Sequence, residues 1–441
     1  MFISNTRQPD EKACLVGVKL PGSTMDEEWR NLRELEQLAH AAGAEVVMST
    51  VQQRTRIDGT SYIGKGKLAW LAEEIPARQI NLVIFDDDLS PAQARNIEES
   101  LKVNVVDRTE LILDIFSRRA KTKQASIQVE IAQLTYALPR LTRLWEHLSR
   151  QAGGIGTRGP GETQLEVDRR KIRERISHLK KELKKIEAQV VQGRKQRREA
   201  FNVTLAGYTN AGKSTLLNRL SGSEVRADAQ LFSTLDSTSR RVEPEGGAAF
   251  VLTDTIGFIR KLPPHLVAGF RATLMDVEEA DLLLHLVDAS EPGSEERIAV
   301  VNEVLGGVIG GRDGGGKKAG EAGLIPTILV FNKADNLPEG ISADNLRARH
   351  PGAVVISAAT GEGTGELLAA IKAEMEKEMI TAVIRIPAGD GRTIAMLEAN
   401  STVRRRELDG ETMVFEASLR RRDLGRIESS GEAEISIGRA Q

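Results

Sequence analysis

The sequence predicts an α/β chain in four parts: an N-terminal α/β domain over 1–116, an antiparallel helical hairpin over 117–198, a larger α/β domain over 199–378 and a small α+β domain over 379–441. Three observations predict it. The run Val203–Ser214, VTLAGYTNAGKS, joins an apolar strand to a glycine loop and then to the helix-forming Thr215-Leu216-Leu217. Polar motifs follow it in order, each at the end of an apolar, strand-like run. Charge is also segregated: Ser117 to Arg198 holds 21 Lys+Arg against 8 Asp+Glu, whereas the rest of the chain holds 40 basic and 55 acidic residues. Such a basic block suits a polyanionic partner for one module only.

Composition bounds the possibilities. With 441 residues, 40% hydrophobic and 28% charged, the chain resembles a soluble multidomain protein with buried cores. No apolar run is long enough to span a bilayer, and the first residues, MFISNTRQPDEKACL, lack a basic leader followed by an apolar stretch, so a cytoplasmic location is expected. Cys14 is alone, which excludes an internal disulfide and a multi-cysteine zinc site; it reads as a small buried residue.

In the first part, candidate strands at Cys14–Val18, Glu45–Ser49, Leu82–Asp86 and Val103–Val106 alternate with helical patterns, which argues for a mostly parallel sheet. Trp29, Leu32, Leu35, Leu38 and Ala39 share one helix face. Gly64-Lys65-Gly66-Lys67 lacks phosphate-loop spacing and reads as a turn opening a helix. Asp86-Asp87-Asp88 reads as a solvated strand end before a helix cap at Ser90-Pro91.

In the second part, Ile127, Ile131, Leu134, Leu138, Leu141, Trp145 and Leu148 step by four and three, with Pro139 expected to kink or divide the helix. Ile172, Ile176, Leu179, Leu183, Ile186 and Val190 form a second narrow seam. Packing the two seams together, antiparallel, buries both. The connection, Gln151–Thr163, has five glycines, Pro160 and the single cation Arg158, a segment whose backbone can approach a crowded surface closely. The second helix carries Arg169, Arg170, Lys171, Arg173, Arg175, Lys180, Lys181, Lys184 and Lys185, an array suited to displacing counterions from RNA phosphates.

In the third part, Gly207, Gly212, Lys213 and Ser214 stand at P-loop spacing. The glycines let backbone N–H groups curl around an anion, and the following helix N-terminus adds partial positive charge. Lys213 can reach the outer phosphates and Ser214 can ligate Mg²⁺. The strand Ala249–Thr253 ends in Asp254-Thr255-Ile256-Gly257, where the carboxylate can reach Mg²⁺ through water and Gly257 can offer its N–H to a γ-phosphate. Leu282–Val287 leads to Asp288, Thr327–Phe331 to Asn332-Lys333-Ala334-Asp335, and Val354–Ile356 to Ser357-Ala358-Ala359. Asp335 can accept from both N1–H and N2–H of guanine, a pair of donors that adenine lacks. Asn332 is expected to tie this loop to the phosphate loop, the Lys333 stem to lie along the base, and Ser357 with the Ala358 backbone to complete the pocket. Within Phe232-Ser233-Thr234-Leu235-Asp236, Thr234 is the candidate mobile hydroxyl for Mg²⁺ and the γ-phosphate, with Thr238 as its competitor.

Together the phosphate loop, FSTLD, DTIG, NKAD and SAA motifs, preceded by GGIGTRGPGETQLE and the paired helices, resemble the HflX-type translational GTPases over about residues 12–370. The resemblance implies a nucleotide site made of Gly207, Tyr208, Thr209, Asn210, Ala211, Gly212, Lys213, Ser214, the Phe232–Asp236 and Asp254–Gly257 segments, Asn332–Asp335 and Ser357–Ala359, with Lys213, Thr234 and Gly257 closest to the chemistry. It further implies GTP hydrolysis to GDP with Mg²⁺ held by Ser214 and Thr234, binding to the large ribosomal subunit near the peptidyl-transferase region, separation of stalled ribosomes into subunits, and some ATP use through the N-terminal region.

Two departures from commoner GTPases matter. Phe258 follows Gly257 where many of them place a water-orienting Gln, so slow intrinsic hydrolysis, raised by a partner, is expected; the family shares this substitution. Ala359 replaces the Lys of S-A-K. Asn210 resembles the residue that holds K⁺ in potassium-activated GTPases. The segment Gly306–Leu324 reads as a flexible insertion. In the fourth part, Thr381–Pro387, Thr393–Ala399 and Thr412–Ala417 read as strand, helix and strand; Arg404–Arg406 and Arg420–Arg422 fit either RNA contact or a solvated edge. Nothing calls for DNA or a dimer, so a monomer is expected. A nucleotide-gated RNA chaperone or helicase-like protein not dedicated to the ribosome is the alternative function; a metabolic phosphotransferase is disfavoured because nothing resembles a second-substrate pocket.

Overall fold

A computed structural model describes residues 11–141, 164–194, 200–222, 232, 237–244, 248–261, 276–291, 293–310, 325–420, 424, 427 and 433–437. The N-terminal domain is a four-stranded parallel sheet, β1 (Glu11–Lys19), β2 (Ala44–Gln53), β3 (Leu82–Phe85) and β4 (Asn104–Asp107), in the order β2-β1-β3-β4. Its strands are apolar on both faces because helices cover both. Helix α1 (Met25–Ala41) starts at Thr24, whose side chain accepts from the Glu27 N–H, and buries Leu32, Leu35 and Leu38. Helix α2 (Lys65–Ala77) opens at Gly64, and α3 (Pro91–Leu101) opens with a capping box between Ser90 and Gln93. Cys14 is buried, which pushes its thiol up to about 12 and leaves it unreactive at neutral pH. The aspartate triplet corrects the expectation of a solvated strand end. Asp86 is 1% exposed and paired with Arg108 and Lys261, because charged groups distant in sequence converge on this end of the sheet.

Helix α4 (Arg108–Arg119) crosses the expected boundary at 117, so the hairpin begins with α5 (Lys123–Ala137). A 3₁₀ turn over Leu138–Arg140 follows, since Pro139 lacks the N–H that would continue the α-helix. Helix α6 (Gln164–Arg194) returns antiparallel, with Arg175 bonded to Glu130 at 2.8 and 3.1 Å and Lys123 paired with Glu182 at 2.5 Å. Leu179 is buried in the seam, and Lys171, Arg173, Lys180, Lys181, Lys184 and Lys185 are exposed. Trp145, Leu148 and the whole glycine loop with Arg158 lie outside the described residues. Arg140 pins the end of α5 to the N-terminal domain, donating to Leu89 O at 2.7 Å and to Asp107 at 3.1 Å while lying 3.6 Å over the Tyr136 ring.

The third part is a six-stranded sheet of β5 (Phe201–Gly207), β6 (Thr238–Val242), β7 (Phe250–Asp254), β8 (Leu282–Asp288), β9 (Thr327–Asn332) and β10 (Val354–Val355). Their order is β10-β9-β8-β5-β7-β6, and only β6 runs antiparallel to its neighbour. The strand order reverses at β5, which places the ligand crevice at the carboxyl ends around the phosphate loop. Helix α7 (Lys213–Ser221) leaves that loop, and α8 (Ser294–Gly310) packs Val301 and Leu305 into the core. This helix runs on to Gly310, correcting the expectation of a flexible insertion from Gly306; 311–324 lie outside the described residues.

Helices α9 (Ala343–Arg349) and α10 (Thr364–Glu378) complete the domain. The last part has β11 (Met379–Pro387), α11 (Gly391–Asn400), β12 (Ser401–Asp409), β13 (Thr412–Arg420) and β14 (Glu434–Ile437) in an antiparallel sheet ordered β12-β13-β11-β14. Arg404–Arg406 lie on the edge strand β12, with Arg405 paired to Glu407 and Arg406 to Glu398. Arg421 and Arg422 lie outside the described residues.

One apolar cluster runs continuously from the N-terminal domain, through Leu32, Leu35, Ile112 and Phe116, into Phe232, Ile256, Phe258, Ile259 and Val277 of the nucleotide-type domain. At its centre Phe116 meets Phe232 edge-on, 4.7 Å between centroids. Phe116→Ala should therefore destabilise the chain by about 3–5 kcal/mol in urea unfolding; a loss under about 1 kcal/mol would mean that the junction closes around the hole.

Candidate nucleotide site

Each motif sits where the sheet delivers it. Beyond β5 the loop turns through Gly207, Tyr208, Thr209, Asn210 and Ala211 to Gly212, which has φ +90° and caps α7. Glycine is required here for two reasons. The conformation is left-handed, and a Cβ at Gly212 would lie 2.1 Å from Asn332 Nδ2. That amide crosses from the end of β9 to donate to Ala211 O at 2.7 Å, while Asn332 Oδ1 accepts from the Ala358 N–H at 2.9 Å. One side chain thus joins the phosphate loop, the N-K-A-D loop and the S-A-A loop.

Lys213 is buried and donates to Gly207 O at 3.1 Å and Tyr208 O at 2.9 Å. Burial pulls its ammonium down to about 8, with Asp254 opposing, so an incoming polyphosphate is the counter-charge the site is short of. Ser214 Oγ donates to Asp254 Oδ2 at 2.6 Å. A hydroxyl beside a carboxylate, both oxygen donors, fits Mg²⁺. Thr255 Oγ1 anchors the segment to Leu205 O at 2.7 Å. Gly257 lies against the loop so closely that a Cβ would come within 2.8 Å of Thr209 Cα and 3.0 Å of Lys213 Nζ. Asn210 is exposed, with φ +62°.

At the base end, Lys333 takes φ +66° and pairs with Asp288 at 2.6 Å, and Ala334 N–H donates to Ile356 O at 3.0 Å. Asp335 is exposed, and Ser357 is wholly buried. Ser233, Thr234, Leu235 and Asp236 lie outside the described residues.

Three expected site residues turn their side chains elsewhere. Phe232 and Ile256 enter the shared apolar cluster. Tyr208 Oη donates to Glu34 of α1 at 2.5 Å and accepts the Arg260 N–H at 2.7 Å. Their apolar or aromatic character serves the domain junction, so only their backbones are available to a nucleotide.

Around Tyr208 lie charged residues that pattern reading missed. Glu34 also pairs with Arg108, Arg108 with Asp86 at 2.6 Å, and Asp86 with Lys261 at 2.6 Å. Since Lys261 adjoins Arg260, the hydrogen bonds close a circuit between the phosphate loop, the segment beyond Gly257 and the N-terminal domain. Burial alone would depress the Lys261 ammonium, but Asp86 and Asp87 more than offset it. Arg260 adds bonds to Asn31 at 3.1 Å and to Glu296. Phe258 is held between loops, accepting from the Thr209 N–H at 2.8 Å and donating to Gly207 O at 3.1 Å.

Three family profiles match the chain in succession. The profile described as GTP-binding GTPase N-terminal matches residues 29–117, GTP-binding GTPase Middle Region matches 119–197, and 50S ribosome-binding GTPase matches 202–333. GTPase HflX of Escherichia coli (strain K12) is 43% identical over 385 residues, 87% of each chain. GTPase HflX of Magnetococcus marinus is 40% identical over 434 residues, 97% of each chain. A GTP-binding protein from Sulfolobus solfataricus in complex with GDP aligns over 83% of this chain and 99% of its own, at 22% identity and a TM-score of 0.42. With relatives this similar along nearly its whole length, the chain belongs to the HflX family of GTPases and is a GTP hydrolase.

Proposed function

We propose that this GTPase depends on Mg²⁺, binds the large ribosomal subunit through its basic arm, and uses GTP to separate stalled ribosomes into subunits. The observation that carries the reading is the closed circuit from Tyr208 through Glu34, Arg108, Asp86 and Lys261 to Arg260. It links the phosphate-sensing backbone to the domain on which the arm is rooted. GTP draws the Gly257 N–H towards its γ-phosphate, and the residues that follow, Phe258 to Lys261, shift with it. The N-terminal domain and the arm, joined by Arg140, then reorient together.

Ser214, with Thr234, would hold the Mg²⁺ and Asp254 would reach it through water; when bound, the ion supplies charge neutralisation at the β- and γ-phosphates. Lys213 adds a buried cation at the same oxygens. Phe258 offers no amide to orient the attacking water, so turnover is slow until the ribosome orders the site. Asn210 supplies a candidate K⁺ ligand. Some ATP use through the N-terminal region belongs to the same proposal. The chain acts as a monomer in the cytoplasm; among the described residues no helix is long and apolar enough to cross a membrane.

Purified large subunits should stimulate GTP turnover by the intact chain, and deleting Gly153–Gly161 should abolish that stimulation while leaving the basal rate unchanged. Stimulation that survives the deletion would remove the glycine loop from the reading, and stimulation by any structured RNA equally well would favour the RNA-chaperone alternative. Releasing the half-exposed tether with Lys261→Ala should raise basal single-turnover hydrolysis roughly fivefold, the equivalent of about 1 kcal/mol for such an ion pair; an unchanged rate would uncouple the circuit from catalysis. Replacing K⁺ by Na⁺ should lower turnover, and equal rates in the two salts would leave Asn210 without a cation.

A further inference from the structure

Hydrolysis joins a water oxygen to the γ-phosphorus while the bond to the β–γ bridging oxygen breaks. The electron pair leaves with GDP, and the water protons leave with inorganic phosphate. Negative charge grows on the bridging oxygen, so a cation brought there speeds the reaction. Lys213, at the phosphate loop, is one such cation. Lys333 stands at the base end, paired with Asp288 at 2.6 Å, and Lys261 is occupied by Asp86 and Asp87.

Arg260 is placed to supply a second charge. Its N–H donates to Tyr208 Oη at 2.7 Å, which fastens its backbone to the phosphate loop. It follows Gly257 by three residues, a span of at most about 11 Å, and Gly257 abuts Lys213. The guanidinium is held on neighbouring elements instead, donating to Asn31 Oδ1 of α1 at 3.1 Å and to Glu296 of α8. Both partners release it at little cost. Asn31 is uncharged and keeps a bond of its own, from Nδ2 to Glu28 at 3.2 Å. The Glu296 side chain is 45% exposed and takes Arg30 at 3.1 Å on its other oxygen, so it retains a cation when Arg260 leaves. Pairs this open to water contribute little to stability.

We propose that Arg260 is a catalytic residue: on leaving Asn31 and Glu296, its guanidinium reaches the γ-phosphate and the bridging oxygen as an arginine supplied in cis. The proposal rests on the interdomain switch described above and gives that switch a chemical output. Docking of α1 holds the cation back, and displacement of the N-terminal domain frees it. A planar guanidinium can bond two phosphate oxygens at once, which a lysine cannot do. It compensates for the missing amide at Phe258 by stabilising charge rather than by orienting water.

Single-turnover hydrolysis at saturating GTP, by the chain alone, is the test. Arg260→Ala should slow it about tenfold, part of the hundredfold or more that a charge fixed at a transition state is worth, since the cation is held back for most of the time. GDP affinity should be retained, because GDP lacks the γ-phosphate, and Arg260→Lys should recover part of the rate. Glu296→Gln should raise the rate about threefold, and the rise should vanish when Arg260→Ala is added. An unchanged or faster rate in Arg260→Ala overturns the assignment, because a mere strap across the junction would quicken the reaction when cut. No rise from Glu296→Gln, or an equal rise with and without Arg260, does the same. The ribosome reading fails separately, if large subunits leave wild-type turnover unchanged.

Discussion

Charge neutrality in a place with little water is the constraint on which this structure turns. Glu34 and Asp86 face Arg108 and Lys261 at the boundary between two domains, and Asp86 and Arg108 are almost completely buried. Removing one partner from such a set strands a charge at a cost of about 3–5 kcal/mol. Arg108 bonds both carboxylates at once, so each keeps a cation beside it if Lys261 leaves, although the set then carries a net negative charge. The circuit therefore opens most readily at the lysine that follows the D-T-I-G segment. The N-terminal domain and the nucleotide domain share an apolar cluster beneath it, which holds them in register while that ion pair forms or breaks.

The phosphate loop, D-T-I-G, N-K-A-D and S-A-A were legible in the sequence because each is local. A strand end, a glycine and a polar residue at fixed spacing leave few alternative geometries. The parallel N-terminal sheet and the two helices of the arm were legible from hydrophobic periodicity. Glu34, Asn31 and Arg108 were not, since each lies on a helix among other charged residues and its partner is far away in sequence. The Asp86–Asp88 triplet misled for the same reason: three adjacent carboxylates look solvated until a cation from another domain is placed beside them. Tyr208 carried a signal that could have been used. A phenol inside a phosphate loop has little to do with phosphate and asks for an acceptor elsewhere.

The misread elements have similar causes. Helix α8 extends through glycines because Val301 and Leu305 anchor its preceding turns in the core. Strand β12 was missed because its arginines hide the alternation, and β14 because it is short and pairs only along β11. In β12 Arg405 meets Glu407 of the same strand and Arg406 meets Glu398 of α11, which suits a strand with one unpaired side facing water.

Asn332 carries a further implication. Its amide occupies the space a Cβ would take at Gly212, holds Ala211 and receives the Ala358 N–H. The N-K-A-D, S-A-A and phosphate loops are consequently parts of one unit. Energetic perturbations at the two ends of a bound nucleotide should then be non-additive, with a coupling term transmitted through this carboxamide.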